Sequence, residues 1–257
     1  MERFFLAEWS FSKILSLKKI TFLIFLSVLL QYPVSTLARE IKSDTLTQEV
    51  WPEVDAYYRF NQALRLMGAF TATKAHTAYA DGALALNLDY FTLRSLRQSG
   101  RDMDMDSTRG YYQWFRAGLK YKRPDPTSKN PAPVYSIRTE SNTRFYPGWK
   151  SLISLRNRFD FQDKSGFWTV IYRPRVTWEK DFRTTYLYFL AYTYVEYYAY
   201  FHNGNRNTLS AALGAQVKVS RLIVFDAYYL YQFQHEPLVN QLSAIGIRIR
   251  FYMPVIK

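Results

Sequence analysis

Apolar and polar residues alternate with a period of two along most of this chain. Leu84, Leu86, Leu88 and Tyr90 stand against Asn87 and Asp89, and Phe115, Ala117, Leu119 and Tyr121 against Arg116 and Lys120. Tyr135, Ile137 and Phe145 oppose Arg138, Glu140 and Arg144, while Ile153, Leu155, Phe159 and Phe161 oppose Arg156, Arg158 and Asp160. Trp168, Val170, Tyr172, Val176 and Trp178 oppose Arg173, Arg175 and Glu179. Later, Ile223, Phe225, Tyr229 and Tyr231 oppose Asp226 and Tyr228, and Ile245, Ile247, Ile249 and Phe251 oppose Gly246, Arg248 and Arg250. Successive side chains of a strand point to opposite faces, so each run predicts a strand with one oily face and one charged face. Eleven such runs fall between residues 54 and 252. Most are about ten residues or longer and are separated by turn residues, the pattern of a transmembrane β-barrel. Residues 186–201 (YLYFLAYTYVEYYAYF) come nearest to an apolar helix, but seven tyrosines and Glu196 make them a strand.

The connections predict the topology. Short turns are expected at residues 60–63, 146–150, 180–184 and 219–222, and longer connections at 73–81, 123–133, 162–166, 201–207 and 234–240. Short turns of such barrels face the periplasm. The last strand then runs down into the periplasm, and so does the first clear strand, residues 54–61. An even count asks for one more strand, sought in the weaker residues 45–51. The expectation is an all-β, antiparallel transmembrane barrel of about 12 strands, with 10 as the fallback. Residues 93–110 break the pattern as a long connection on the periplasmic side, where Leu93 and Leu96 predict a short helix. Pro174 lies inside a predicted strand and removes a ladder donor there, which predicts a bulge or kink.

Ahead of the barrel, Lys13, Lys18 and Lys19 precede an apolar run over residues 20–30, and short residues follow at 35–38. This is the layout of a secretory signal peptide. The run falls short of the roughly 20 residues that a spanning helix needs; a single N-terminal anchor is the alternative. The predicted division is a signal peptide at 1–38, an N-terminal segment holding the weak first strand at 39–53, the barrel at 54–252 and a tail at 253–257.

Composition narrows the function. The 257 residues are 48% hydrophobic and 18% aromatic, which excludes a largely disordered chain. There is no cysteine, hence no disulfide or thiolate site, and only three histidines, His76, His202 and His235. Asp102, Asp104 and Asp106 open like a calcium loop, but Ser107 and Gln113 stand where an EF-hand needs Gly and Glu. No metal and no cofactor is expected. The net charge of +13 is spread through strands rather than gathered in a patch, so nucleic acid is not an expected partner.

If the polar faces turn inward, the lumen holds Arg59, Arg65, Arg116, Arg138, Arg144, Arg156, Arg158, Arg173, Arg175, Arg248 and Arg250, with Lys120 and Lys218. Against them stand Asp89, Glu140, Asp160, Glu179, Glu196 and Asp226. Buried charges persist when paired and hydrogen-bonded. Two readings follow: an ion-pair ladder that fills a small barrel, or an arginine-lined path that draws anions. The enzyme alternative is an outer-membrane lipid hydrolase using His202 and Ser210, although no His-x-Ser spacing occurs in the chain.

Several stretches resemble a known family. Residues 51–60 (WPEVDAYYRF) with Leu64, Arg65 and Leu66 are similar to its opening hairpin. Residues 157–160 (NRFD), 172–175 (YRPR), Trp178 and Glu179 are similar to its arginine-rich central strands, and residues 195–198 (VEYY) with Asn205 and Arg206 to a late strand and loop. The family is the domain of unknown function 2490, bacterial outer-membrane barrels without an assigned activity. The resemblance spans most of residues 51–252 and implies fold and location, with no catalytic residue to carry over. The expected setting is the outer membrane of a Gram-negative bacterium. Expected partners are its lipid and lipopolysaccharide, the barrel-assembly machinery and small anionic solutes, for a porin-like or structural envelope protein.

Overall fold

The computed structural model describes residues 46–75, 78–92, 110–123, 132–148, 151–183, 188–201, 207–234 and 241–253. The expected signal peptide, the helix sought near Leu93, the Asp102 to Asp106 motif and all three histidines lie outside these residues. The chain forms β1 (Leu46–Arg59), β2 (Leu64–Ala75), β3 (Ala78–Thr92), β4 (Gln113–Arg123), β5 (Val134–Gly148), β6 (Ser151–Lys164), β7 (Phe167–Tyr172), β8 (Arg175–Arg183), β9 (Tyr188–Tyr200), β10 (Thr208–Lys218), β11 (Ile223–Gln234) and β12 (Gln241–Met253). Neighbours in sequence pair antiparallel except β7 and β8, and β12 closes the ring on β1. No helix among the described residues is long and apolar enough to cross a membrane.

The strand count agrees with the pattern, but the ring is odd. β7 and β8 share one place: β6 pairs β7 through Phe159 to Lys164 and β8 through Ser151 to Arg156. Pro174 makes the break between them, the predicted kink. Eleven places remain around the barrel, so β1 and β12 meet parallel, from Leu46 opposite Gln241 to Tyr58 opposite Met253. The even count expected from turn parity is therefore corrected. The separate strands sought at 45–51 and 54–61 are one strand, β1, in which Pro52 interrupts only the pairing with β2. Its register with β12 runs on unbroken, because the missing N–H costs a bond on one side alone.

Several connections are tighter than expected. β2 runs to Ala75 and β3 begins at Ala78, with a register shift between Thr73 and Lys74. β6 and β7 are joined by Ser165 and Gly166 alone, with φ of 55° and 81°. Two positive φ values make a hairpin turn whose twist matches that of its strands. Asp163 accepts a hydrogen bond from the Gly166 N–H at 2.9 Å and holds that turn.

Burial divides the two faces of the wall. Leu119 and Leu213 are 63% and 66% exposed on the outside, whereas Asp89 and Asp226 are completely buried on the inside. Oily side chains cover the exterior through Leu84, Leu86, Phe115, Ile137, Val176 and Val195. This inverts a water-soluble protein and matches a barrel whose outer surface meets hydrocarbon. Two glycines let the inner side chains lie flat. A Cβ at Gly214 would stand 2.5 Å from the Tyr192 ring, and one at Gly246 would run into the Tyr228 ring. Each tyrosine therefore crosses the neighbouring strand's bare backbone and reaches the strand beyond.

Candidate functional site

The polar faces of the strands line an internal cavity of about 430 Å³. On the side built by β2 to β9, three carboxylates gather seven guanidiniums. Asp89 of β3 accepts hydrogen bonds from Arg65 at 2.6 Å and Arg116 at 2.6 Å, from the strands on either side. Asp160 of β6 meets Arg138 at 3.2 Å, Arg158 at 2.8 Å and Arg173 at 3.2 Å. Glu196 of β9 is held by Arg156, by Arg173 at 3.0 Å and by Arg175 at 2.5 Å. Cross-strand register brings these groups together: Asp89 lies opposite both Arg65 and Arg116, and Arg138 lies opposite Asp160. All three carboxylates are buried behind their arginines, and the arginines line the cavity.

The side built by β9 to β1 uses phenols. Tyr192 donates to Asp226 at 2.8 Å, Tyr57 donates to Asp55 at 3.1 Å, and Tyr228 donates to Glu53. Arg248 and Arg250 serve these three acids, with Arg248 2.6 Å from Glu53 and Arg250 2.6 Å from Asp226. Leu190, Tyr194, Ala212, Leu230, Leu242 and Ala244 pack as an apolar cluster around Tyr192 and Tyr228. At the rim bearing turn 60–63, Phe91, Tyr111 and Trp114 form a second buried group. Arg59 and Arg65 stack over the Phe91 ring at 5.2 and 5.0 Å, and Arg116 over Trp114 at 4.9 Å.

The residues singled out by sequence thus fall into different groups. Arg138, Arg156, Arg158, Asp160, Arg173, Arg175 and Glu196 form one continuous network, linked because Arg173 bridges Asp160 and Glu196. Asp226, Arg248 and Arg250 form a second. Glu140 lies buried with Arg156 4.0 Å away, and Glu179 lines the cavity. Arg59 instead donates to the carbonyls of Asn61 and Gln62 and braces a turn. Lys218 is exposed at the end of β10. Ser210 is completely buried in the wall, its hydroxyl 3.5 Å from the Glu196 carbonyl, which leaves no approach for an ester.

Sequence reasoning missed Glu53, which it left in the N-terminal segment, and Asp55, which it placed in the first clear strand without an inward role. The signal was present: Glu53, Asp55 and Tyr57 alternate with Val54, Ala56 and Tyr58. It also gave tyrosines no role as carboxylate partners, and no spacing rule reveals which tyrosine lies beside a glycine of the next strand. Among the described residues no cluster of His, Cys, Asp and Glu is arranged to hold a metal ion.

No family model matches the chain, and no curated protein matches it. Among solved structures, the chain is similar to OmpT, an outer membrane protein of Vibrio cholerae, folded in vitro and in its trimer form. The identity is 12% and the TM-score 0.30, over 69% of this chain and 78% of that one.

Proposed function

We propose that this protein is a barrel of the Gram-negative outer membrane giving narrow passage to small anionic solutes. The observation that supports it is the arginine-rich wall, where seven guanidiniums face a cavity with the buried carboxylates Asp89, Glu140, Asp160 and Glu196 set among them. In a water-poor lumen such an excess attracts anions and repels cations. The oily exterior suits outer-membrane lipid, with lipopolysaccharide at the outer rim and insertion by the barrel-assembly machinery. The fold, the wall and the stretches quoted above also support membership of the domain of unknown function 2490 family.

Planar-bilayer recording of the refolded full chain tests the reading. In a potassium chloride gradient the expected result is small, steady steps whose reversal potential lies on the chloride side. Repeated insertions without current would overturn passage and leave a structural envelope protein. Cation selectivity would overturn the role of the arginines.

A further inference from the structure

Lys120 of β4 is an inward-facing basic residue. It lines the cavity, and among the described residues no carboxylate comes within ion-pair distance of its ammonium group. Its cross-strand partners are Ala85 and Ser136, whose short side chains leave room around it. Two residues along β4, Gly118 lies opposite Arg138, so the next inward side chain of β5 toward the turn rim is a guanidinium. Arg138 shares one acid, Asp160, with Arg158 and Arg173. Four basic side chains from four consecutive places in the wall thus face one cavity with Asp160 and Glu140 set among them, while Arg173 also leans on Glu196. Asp160 already accepts from three guanidiniums, two at Oδ1 and one at Oδ2.

We propose that Lys120, Arg138, Arg158 and Arg173 form a binding site for a small multivalent oxyanion of the phosphate class. The inference rests on the anion-path reading of the lumen and places its selective step at this site. The chemistry is matched on both sides. A guanidinium fork fits two oxygens of one anion, and an ammonium adds a point charge with three donors. Four basic side chains against Asp160 and Glu140 leave the site with a positive excess, which an ion with two negative charges matches better than one with a single charge. Chloride offers neither the charge nor the separate acceptor atoms.

Calorimetric titration of the refolded full chain in detergent with inorganic phosphate tests this, with chloride as background salt. The expected result is saturable binding that weakens as chloride rises. Lys120→Ala should weaken it about tenfold or more, the scale of one charge-assisted hydrogen bond. Lys120→Arg, which restores the charge, should recover most of the affinity. Heat-modifiable gel mobility verifies folding of each variant, and Lys120→Gln replaces alanine if that variant does not fold. Wild-type protein that binds phosphate no better than nitrate overturns the proposal without reference to any variant. So does equal affinity in wild type and Lys120→Ala. Binding is read here without current, so phosphate binding in a silent barrel would refute passage and keep the site. Anion current without phosphate binding would do the reverse.

Discussion

Glu196 and Glu53 are both inward carboxylates of the same barrel, yet they are neutralised differently. Glu196 collects Arg156, Arg173 and Arg175, whereas Glu53 takes one guanidinium from Arg248 and one hydroxyl from Tyr228. The contrast holds along each wall. Asp89, Asp160 and Glu196 gather seven arginines, while Glu53, Asp55 and Asp226 share two arginines and three tyrosines. A phenol satisfies a lone pair without adding charge, so the second wall stays close to neutral. A guanidinium brings a full charge with it, so the first wall accumulates cations. One wall has the character of a structural seam, and the other concentrates positive charge.

The strongest test of this difference removes one acid from each wall. Glu196→Gln leaves three buried arginines without their shared partner and should cost about 3–5 kcal/mol, read as a fall in the urea midpoint of the refolded barrel. Asp226→Asn keeps the phenol of Tyr192 within reach, and Arg248 retains Glu53, so the loss should be about 1.5–3 kcal/mol. Equal losses would erase the distinction between the walls. Gly246→Ala drives a methyl group into the Tyr228 ring and should cost about 1–3 kcal/mol by overpacking. Tyr228→Phe removes only the hydroxyl at Glu53, for about 1 kcal/mol, and should leave anion selectivity unchanged. Gly68→Ala, where a Cβ meets nothing within 4 Å, should stay within about 0.5 kcal/mol and serves as the control.

The alternating face of each strand was legible because the pleat is local: Leu119 outside and Arg116 inside follow from spacing alone. Pro174 announced its kink for the same reason. The odd ring was not legible, because joining β7 and β8 in one place depends on how far β6 extends past both. Nor was the division of labour between walls. That Arg173 spans Asp160 and Glu196 follows from shear between three strands, and the reach of Tyr228 to Glu53 depends on Gly246 between them. Those are facts of register across the sheet, and periodicity within one strand carries none of them. Arg59 shows the opposite failure: it has the right parity, but at the strand end its nearest acceptors are turn carbonyls.

The parallel seam between β1 and β12 sets the geography of the chain. Both strands start at one rim and finish at the other, so Leu46 and Met253 mark opposite rims of the barrel. Cysteine labels at Leu46 and at Met253 would sit at opposite rims, and in a sealed vesicle they should differ in access to an impermeant reagent. No tight loop could splice those ends into a permuted variant. The seam also joins the most distant partners in the molecule, so the staves between them must be largely in place before it can zip shut.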